Sequence, residues 1–296
     1  MVSKTMPVEK LQTSAGLGAM VGITAVLIAV LCHKDPWGGA TLSLDSLAWA
    51  GGGLVAGLPL VALRAWTWTP AASKVLPVVD DMHRSQMQVV APWFTGMDRV
   101  HVVIMMAMEV LPLTLLLLPA AQGVVQGIAQ LYAQVAGAVD PSLLPDVSAV
   151  DSVSGNLDAG VLVTRLVGLA ATAGVAGAAR GMELSISGDE YDAVSSAMEN
   201  SDRYYRLTAM DVRSRKEDGD RASLAFRAVA QVYLDTRSDA TILAAGLAAV
   251  DVMYLGGLWY ATGNLAAPAA AALAVNWVEY GNLHARIGGT PANAKE

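Results

Sequence analysis

The sequence predicts an all-α fold, a polytopic helical membrane bundle of about 6–8 transmembrane segments, and three observations lead there. Apolar residues make up 54% of the 296 positions, charged residues only 15%, and the mean hydropathy is +0.45; this lies outside the range of a soluble domain of this length. The apolar residues form continuous runs long enough to cross a bilayer, whereas barrel strands alternate and run to about ten residues. Ala, Gly, Val and Leu dominate, as expected where helices approach through small side chains.

The runs divide the chain into an N-terminal tail (1–14), a first set of membrane helices (15–181), a charged solvent loop (182–221), a last set of membrane helices (222–281) and a C-terminal tail (282–296). The first span, about Ala15 to Leu31, stops at His33-Lys34-Asp35-Pro36, where charge and proline end it. A second runs from about Leu44 to Leu63, with Gly51-Gly52-Gly53 as a close-approach face. The connection from Arg64 to Arg99 is polar and reads as a surface loop with an interfacial helix. A third segment starts at His101 and contains Glu109, Pro112 and Pro119; each proline removes a backbone donor, so a kinked or broken helix is expected. The fourth span, about Leu157 to Ala179, carries Arg165 and closes at Arg180-Gly181. The fifth piece, Ala222 to Leu234, is short for a crossing, carries Arg227 and reads as re-entrant or as extending out of the membrane. Two more follow, at about Ala240 to Ala261 and Leu265 to Tyr280. Lys4, Lys10, Arg64, Lys74, Arg84, Arg99 and the run from Arg180 to Arg221 fall on one side if every segment crosses once, which orients that side toward the cytoplasm or its plastid equivalent.

Several function classes drop out. Cys32 is the only cysteine, so an internal disulfide and a thiolate metal cluster are excluded. A net charge of −7 without a basic cluster among aromatics gives no support to nucleic acid binding. His33, His83, His101 and His284 are scattered and none has metal-ligand spacing. Residues 1–14 are too short and mixed for a secretory signal or transit peptide. The seven tryptophans cluster near predicted span ends, as an aromatic belt requires.

The ionisable groups inside spans are the chemical candidates, since they are costly there and must face the bundle interior, a partner or a ligand. Glu109 is foremost, and a carboxyl bonded to a neighbouring helix is its plainest role. Asp251 lies deep in the sixth span, and pairing with Arg165 or Arg227 is the economical structural account. Asn276 and Glu279 share one helical face, where a hydrogen bond to an adjacent helix is expected.

Three blocks between about residues 42 and 280 carry a family resemblance. Ala107-Met108-Glu109-Val110-Leu111-Pro112-Leu113-Thr114, followed by Pro119-Ala120-Ala121-Gln122-Gly123, is similar to an EExxxR motif with its downstream flank. Ser223-Leu224-Ala225-Phe226 followed by Ala230 resembles FxxxH, and Ala272 with Asn276 stands where HxxxN is expected. The chain thus resembles the CAAX-protease and bacteriocin-processing membrane family. That resemblance implies a bundle in which a glutamate activates water while histidines and an asparagine stabilise an oxyanion. Glu109 and Asn276 survive as vestiges; Val110, Thr114, Ala230 and Ala272 do not match. Loss of one oxyanion donor lowers turnover by about 10²–10³, so no catalytic residue is expected to function.

The resemblance implies a non-catalytic integral membrane subunit, scaffold or assembly factor, with membrane lipids and other membrane-protein subunits as partners. Tyr254 to Leu265 is most similar to the cyanobacterial and plastid branch, which implies a thylakoid complex such as a photosystem supercomplex. No cofactor is required; chlorophyll, carotenoid and lipid are the molecules that setting would bring, with His101, His284 and Glu109 as candidate pigment ligands. An intramembrane CAAX-type endopeptidase using Glu109 is the alternative, and a transporter, for which no repeat symmetry is visible, ranks last.

Overall fold

A computed structural model describes residues 7–128, 159–209 and 216–288. All regular structure among them is helical. The helices are α1 (Pro7–Leu31), α2 (Leu44–Ala56), α3 (Leu58–Thr67), α4 (Pro70–Val75) and α5 (Val78–Phe94). They continue with α6 (Arg99–Ile128), α7 (Ala159–Leu184), α8 (Gly188–Ala209), α9 (Lys216–Thr262) and α10 (Ala266–Gly288). Three of them, α1, α6 and the stretch Gly219–Thr262 of α9, are long and apolar enough to cross a membrane, and the pair α2 and α3, bent by 43°, makes a fourth if it is one span.

Local chemistry sets the boundaries. Ser43 caps α2 by accepting from the Ser46 amide, and Asp98 caps α6 by accepting from the His101 amide at 2.8 Å; each satisfies a donor with no partner inside its helix. That backbone bond holds the exposed Asp98 carboxyl below its usual range. Where the third segment is expected to kink or break, there is a π-helical turn, Leu116–Ala120, that accommodates Pro119, so α6 continues to Ile128.

Several sequence expectations need correcting. The N-terminal tail is shorter than 14 residues, because α1 starts at Pro7. The connection after Arg64 is mostly helix, and the last helix runs on past residue 281 to Gly288. The fifth and sixth apolar pieces are one helix of 47 residues, so residues 222–234 are not re-entrant. At 1.5 Å per residue α9 is about 70 Å long, more than twice the hydrocarbon thickness of about 30 Å. Its N-terminal half leaves the apolar zone and packs with α8 as a hairpin. There Arg227 Nε donates to the Met198 carbonyl (3.2 Å) and Ser201 Oγ (3.0 Å), and the Ser201 and Ser223 hydroxyls meet at 3.0 Å. Arg227 is thus held by the α8–α9 hairpin and not by Asp251.

Helix directions follow from close contacts. The α-carbon of Gly18 on α1 lies against the Met108 carbonyl of α6, and further along Ala25 and Ala29 pack near Leu115 and Ala120, so α1 and α6 run parallel. Gly53 of α2 lies on the Ala267 carbonyl of α10, also in parallel register, since Gly57 next meets Ala271. Against these, α7 runs antiparallel to α9, with Leu169 beside Gly256 and Gly177 beside Ala245. One end of the bundle is stitched by Gly38, whose carbonyl accepts from Trp259 Nε1 and the Leu265 amide, both at 3.0 Å. At the other end α5 lies across the helices. Lys10 Nζ donates to the carbonyls of Pro92 and Thr95 at 2.8 Å each, above an apolar cluster of Trp68, Phe94, Met97, Val102, Met105 and Leu283. Trp68 is thus core, stacked on His83 at 3.6 Å, and not part of an aromatic belt.

Gly53→Leu should lower the melting temperature in detergent, because a Cβ there would overlap the Ala267 backbone. Overpacking of this kind costs about 1–3 kcal/mol. An unchanged melting temperature would mean that α2 and α10 do not approach this closely.

Candidate functional site

A cavity of about 390 Å³ lies between α3, α5, α6, α7, α9 and α10. Its walls are apolar, including Leu60, Leu113, Leu117, Ala248 and Leu255, while one end is polar. Two guanidinium groups, Arg64 and Arg180, face four carboxyls there: Glu109, Glu183, Asp251 and Glu279.

Each charge arrives on a different helix. Arg64 comes from the last turn of α3, one turn after Leu60, and is 7% exposed. Its guanidinium is ion-paired with Asp251 of α9 and approaches Glu279 of α10 at 3.3 Å. Arg180, a turn before the end of α7, binds Glu183 at 2.6 Å and reaches Glu279 at 3.6 Å. Glu279 therefore lies between both cations, and Gln86 Nε2 of α5 donates to it at 3.0 Å. Gln86 Oε1 meets His83 Nδ1 at 3.0 Å, and His83 Nε2 meets the Thr67 carbonyl at 3.1 Å. This continuous network joins α3, α5, α7, α9 and α10. A charge removed from water needs such multiple partners to be tolerated.

Glu109 lies outside that lattice. Its carboxylate accepts from the Tyr280 hydroxyl, and the residue is exposed, toward the cavity mouth. A second cavity of about 420 Å³, between α1, α5, α6, α7 and α10, shares Glu109, Leu113, Arg180, Glu183, Glu279 and Tyr280 with the first. These residues, all but Leu113 polar, form a septum between two chambers. Farther along, Gln122 closes α6 onto α7 and α9: Nε2 donates to Thr172 Oγ1 at 2.8 Å and Oε1 accepts from Tyr260 at 3.0 Å.

The structure brings Glu109, Thr114, Ala272 and Asn276 to one cavity. Ala230 does not join them. It is 21 positions before Asp251 on the same helix, about 30 Å at helical rise. Asn276 donates its amide to the Ala272 carbonyl of its own helix at 2.9 Å, rather than to a neighbouring helix as expected, and Thr114 likewise donates to Val110 at 2.7 Å. Among the described residues lining this cavity none is a histidine. His101 Nδ1 is bonded to Asp98 at 2.6 Å and His284 Nε2 to the Met97 carbonyl at 2.9 Å, so each candidate pigment ligand has one ring nitrogen engaged. The expected partner of Asp251 was Arg165 or Arg227, and the correction is Arg64. Arg165 instead places its guanidinium over the Tyr260 ring, 5.1 Å from the centroid.

In the sequence Arg64 and Arg180 count only as span boundaries and orienting charges, and Glu183 and Tyr280 have no assigned role. A signal for Arg64 was present: treating 44–67 as one bent span places it a turn inside the end. In the sequence its charge ends that span at Leu63, although the helix runs on to Thr67.

His83 is 1% exposed, and burial is the main cause that pushes its pKa below 6.5, against the opposing hydrogen bonds from Gln86 and Thr67 and the charge of Glu279, while Arg286 adds to the lowering. A neutral imidazole donates from one ring nitrogen only, so one of the two oxygen contacts lacks a hydrogen, a loss that burial outweighs. A histidine neutral in the fold contributes stability above its unfolded pKa, and that contribution is lost as pH falls through about 6.5 toward the depressed value. Wild-type protein should therefore lose stability between pH 7 and 5 in thermal melts, and His83→Gln should lose less. Identical pH profiles for the two proteins would show that His83 is not held neutral.

Comparison with family models, with curated proteins and with solved structures gives no match to this chain.

Proposed function

We propose that this protein is a non-catalytic integral membrane subunit or scaffold, built on a bundle kin to the CAAX-protease and bacteriocin-processing family. The observation that carries the reading is the cavity itself: Glu109, Ala272 and Asn276 share it, yet no histidine lines it. A water-activating glutamate needs an oxyanion stabiliser opposite it. Here the Glu109 carboxylate is engaged by Tyr280, the Asn276 amide by its own helix, and Ala272 and Val110 offer no polar side chain. The cations that face the cavity, Arg64 and Arg180, are neutralised by Asp251, Glu183 and Glu279.

In this reading the chain crosses the bilayer six times, through α1, the bent α2 and α3, α6, α7, α9 and α10. The helix directions alternate accordingly. The N-terminus, α5 and the α8–α9 hairpin lie on one side, where the basic residues concentrate, and residues 32–43 and 263–265 on the other. The protruding hairpin, with Tyr204, Leu224, Val229 and Val232 exposed, offers other membrane-protein subunits a surface. The setting we infer, from the Tyr254 to Leu265 resemblance, is a thylakoid complex containing pigment and lipid.

Purified protein should leave prenylated CAAX-type peptides intact, at the same background as Glu109→Gln. Gentle detergent extraction from thylakoids should bring down partner subunits with chlorophyll absorption. Peptide cleavage that disappears in Glu109→Gln would contradict the non-catalytic reading, and a solitary, colourless monomer would contradict the photosynthetic setting.

A further inference from the structure

We propose that the opening between α6 and α7 is a binding site for a lipophilic ammonium, an amphiphile with a cationic amine head and one apolar chain. The two helices are joined where Gln122 meets Thr172. Toward Glu109 and Arg180 they diverge, about 12 Å farther along α7 at helical rise, and the first cavity fills the gap between Leu113 and Leu117 on one side and Ala176 and Ala179 on the other. Leu113 and Ala179 are exposed at this mouth. A chain entering sideways from the bilayer meets apolar walls first and the carboxyl-rich septum last.

The charge at that septum selects the head. Four carboxyls face two guanidiniums, and both guanidiniums are already shared. Arg64 holds Asp251 and approaches Glu279, while Arg180 holds Glu183 at 2.6 Å and Glu279 at 3.6 Å. The Glu109 carboxylate has a neutral hydroxyl, that of Tyr280, as its hydrogen-bond partner. Glu109 and Glu183 are both exposed toward the opening; Glu183 is paired with Arg180 beside the end of α7, so the carboxylate without a cationic partner is Glu109, inside its span, where an unmatched charge is costly. An ammonium placed between Glu109 and Glu183 offers three donors and the missing charge. A fatty acid adds a further negative charge, and an alcohol supplies no charge at all. The apolar chain occupies the 390 Å³ chamber, within the range of small-molecule sites. The amine site does not depend on the protein's kinship or on the membrane that houses it, so failure of either test leaves the other standing.

Native mass spectrometry of the full chain in a non-ionic detergent, titrated with sphingosine, octadecanoic acid and octadecanol, tests this directly. Sphingosine should give one saturable adduct at concentrations where the acid and the alcohol give none. Glu109→Gln combined with Glu183→Gln should weaken sphingosine binding at least tenfold. Leu113→Trp, which narrows the opening without touching a charge, should weaken it as well. Equal binding of octadecanoic acid would overturn the proposal, as would wild-type affinity in the folded double variant. Should the double variant fail to fold, Leu113→Trp decides: unchanged affinity there rules the site out.

Discussion

The placement of Glu279 between Arg64 and Arg180 is the constraint on which the arrangement of the bundle depends. An isolated carboxylate in an apolar interior is not tolerated, and a lone guanidinium fares no better. Each therefore dictates the position of the other. Arg64 sets where the bent pair α2 and α3 ends, Asp251 sets the height of α9, Arg180 sets α7, and Gln86 draws α5 across the end of the bundle. Small residues complete the arrangement, because the charged groups meet only if the backbones approach as closely as Gly53 and Ala267 do. Such close approach is how helices associate where lipid removes the hydrophobic driving force between them.

The same lattice explains why the cavity is polar at one end and yet offers no unpaired guanidinium. Its cations are spent on protein carboxylates, so neither Arg64 nor Arg180 is available to stabilise a developing oxyanion. The surplus is negative: four carboxyls face two guanidiniums, and Glu109, at the open side, has no cationic partner. Pro112 and the π-turn at Leu116–Ala120 lie in the stretch of α6 that lines the cavities.

The helical membrane class was legible because composition and long apolar runs are global properties that survive local error. Glu109, Asp251 and Asn276 were legible for a related reason: a polar group in an apolar run stands out in one dimension. Their partners were not. Arg64 read as the start of a loop because its charge ended the apolar run at Leu63, although the helix continues to Thr67. Residues 222–262 read as two pieces, because the charges around Arg237 interrupt the apolar pattern; a helix that leaves the membrane carries charge without ending. Likewise His83 and Trp68 read as interfacial, and only the packing of α5 against α3 makes them a buried stack. Which charges meet is set by helix order and register, and a single sequence does not encode that in any local pattern.

The most direct measurement of this account is a double-mutant cycle on Arg64 and Asp251, with Arg64→Met and Asp251→Leu made singly and together and stability read by reversible unfolding in detergent or bicelles. The account predicts that each single change is more damaging than its share of the pair, with a coupling energy in the range of about 0.5–3 kcal/mol, since each leaves a charge without its partner. Strictly additive effects would show that α3 and α9 do not meet through these residues and would contradict the lattice on which the fold is built.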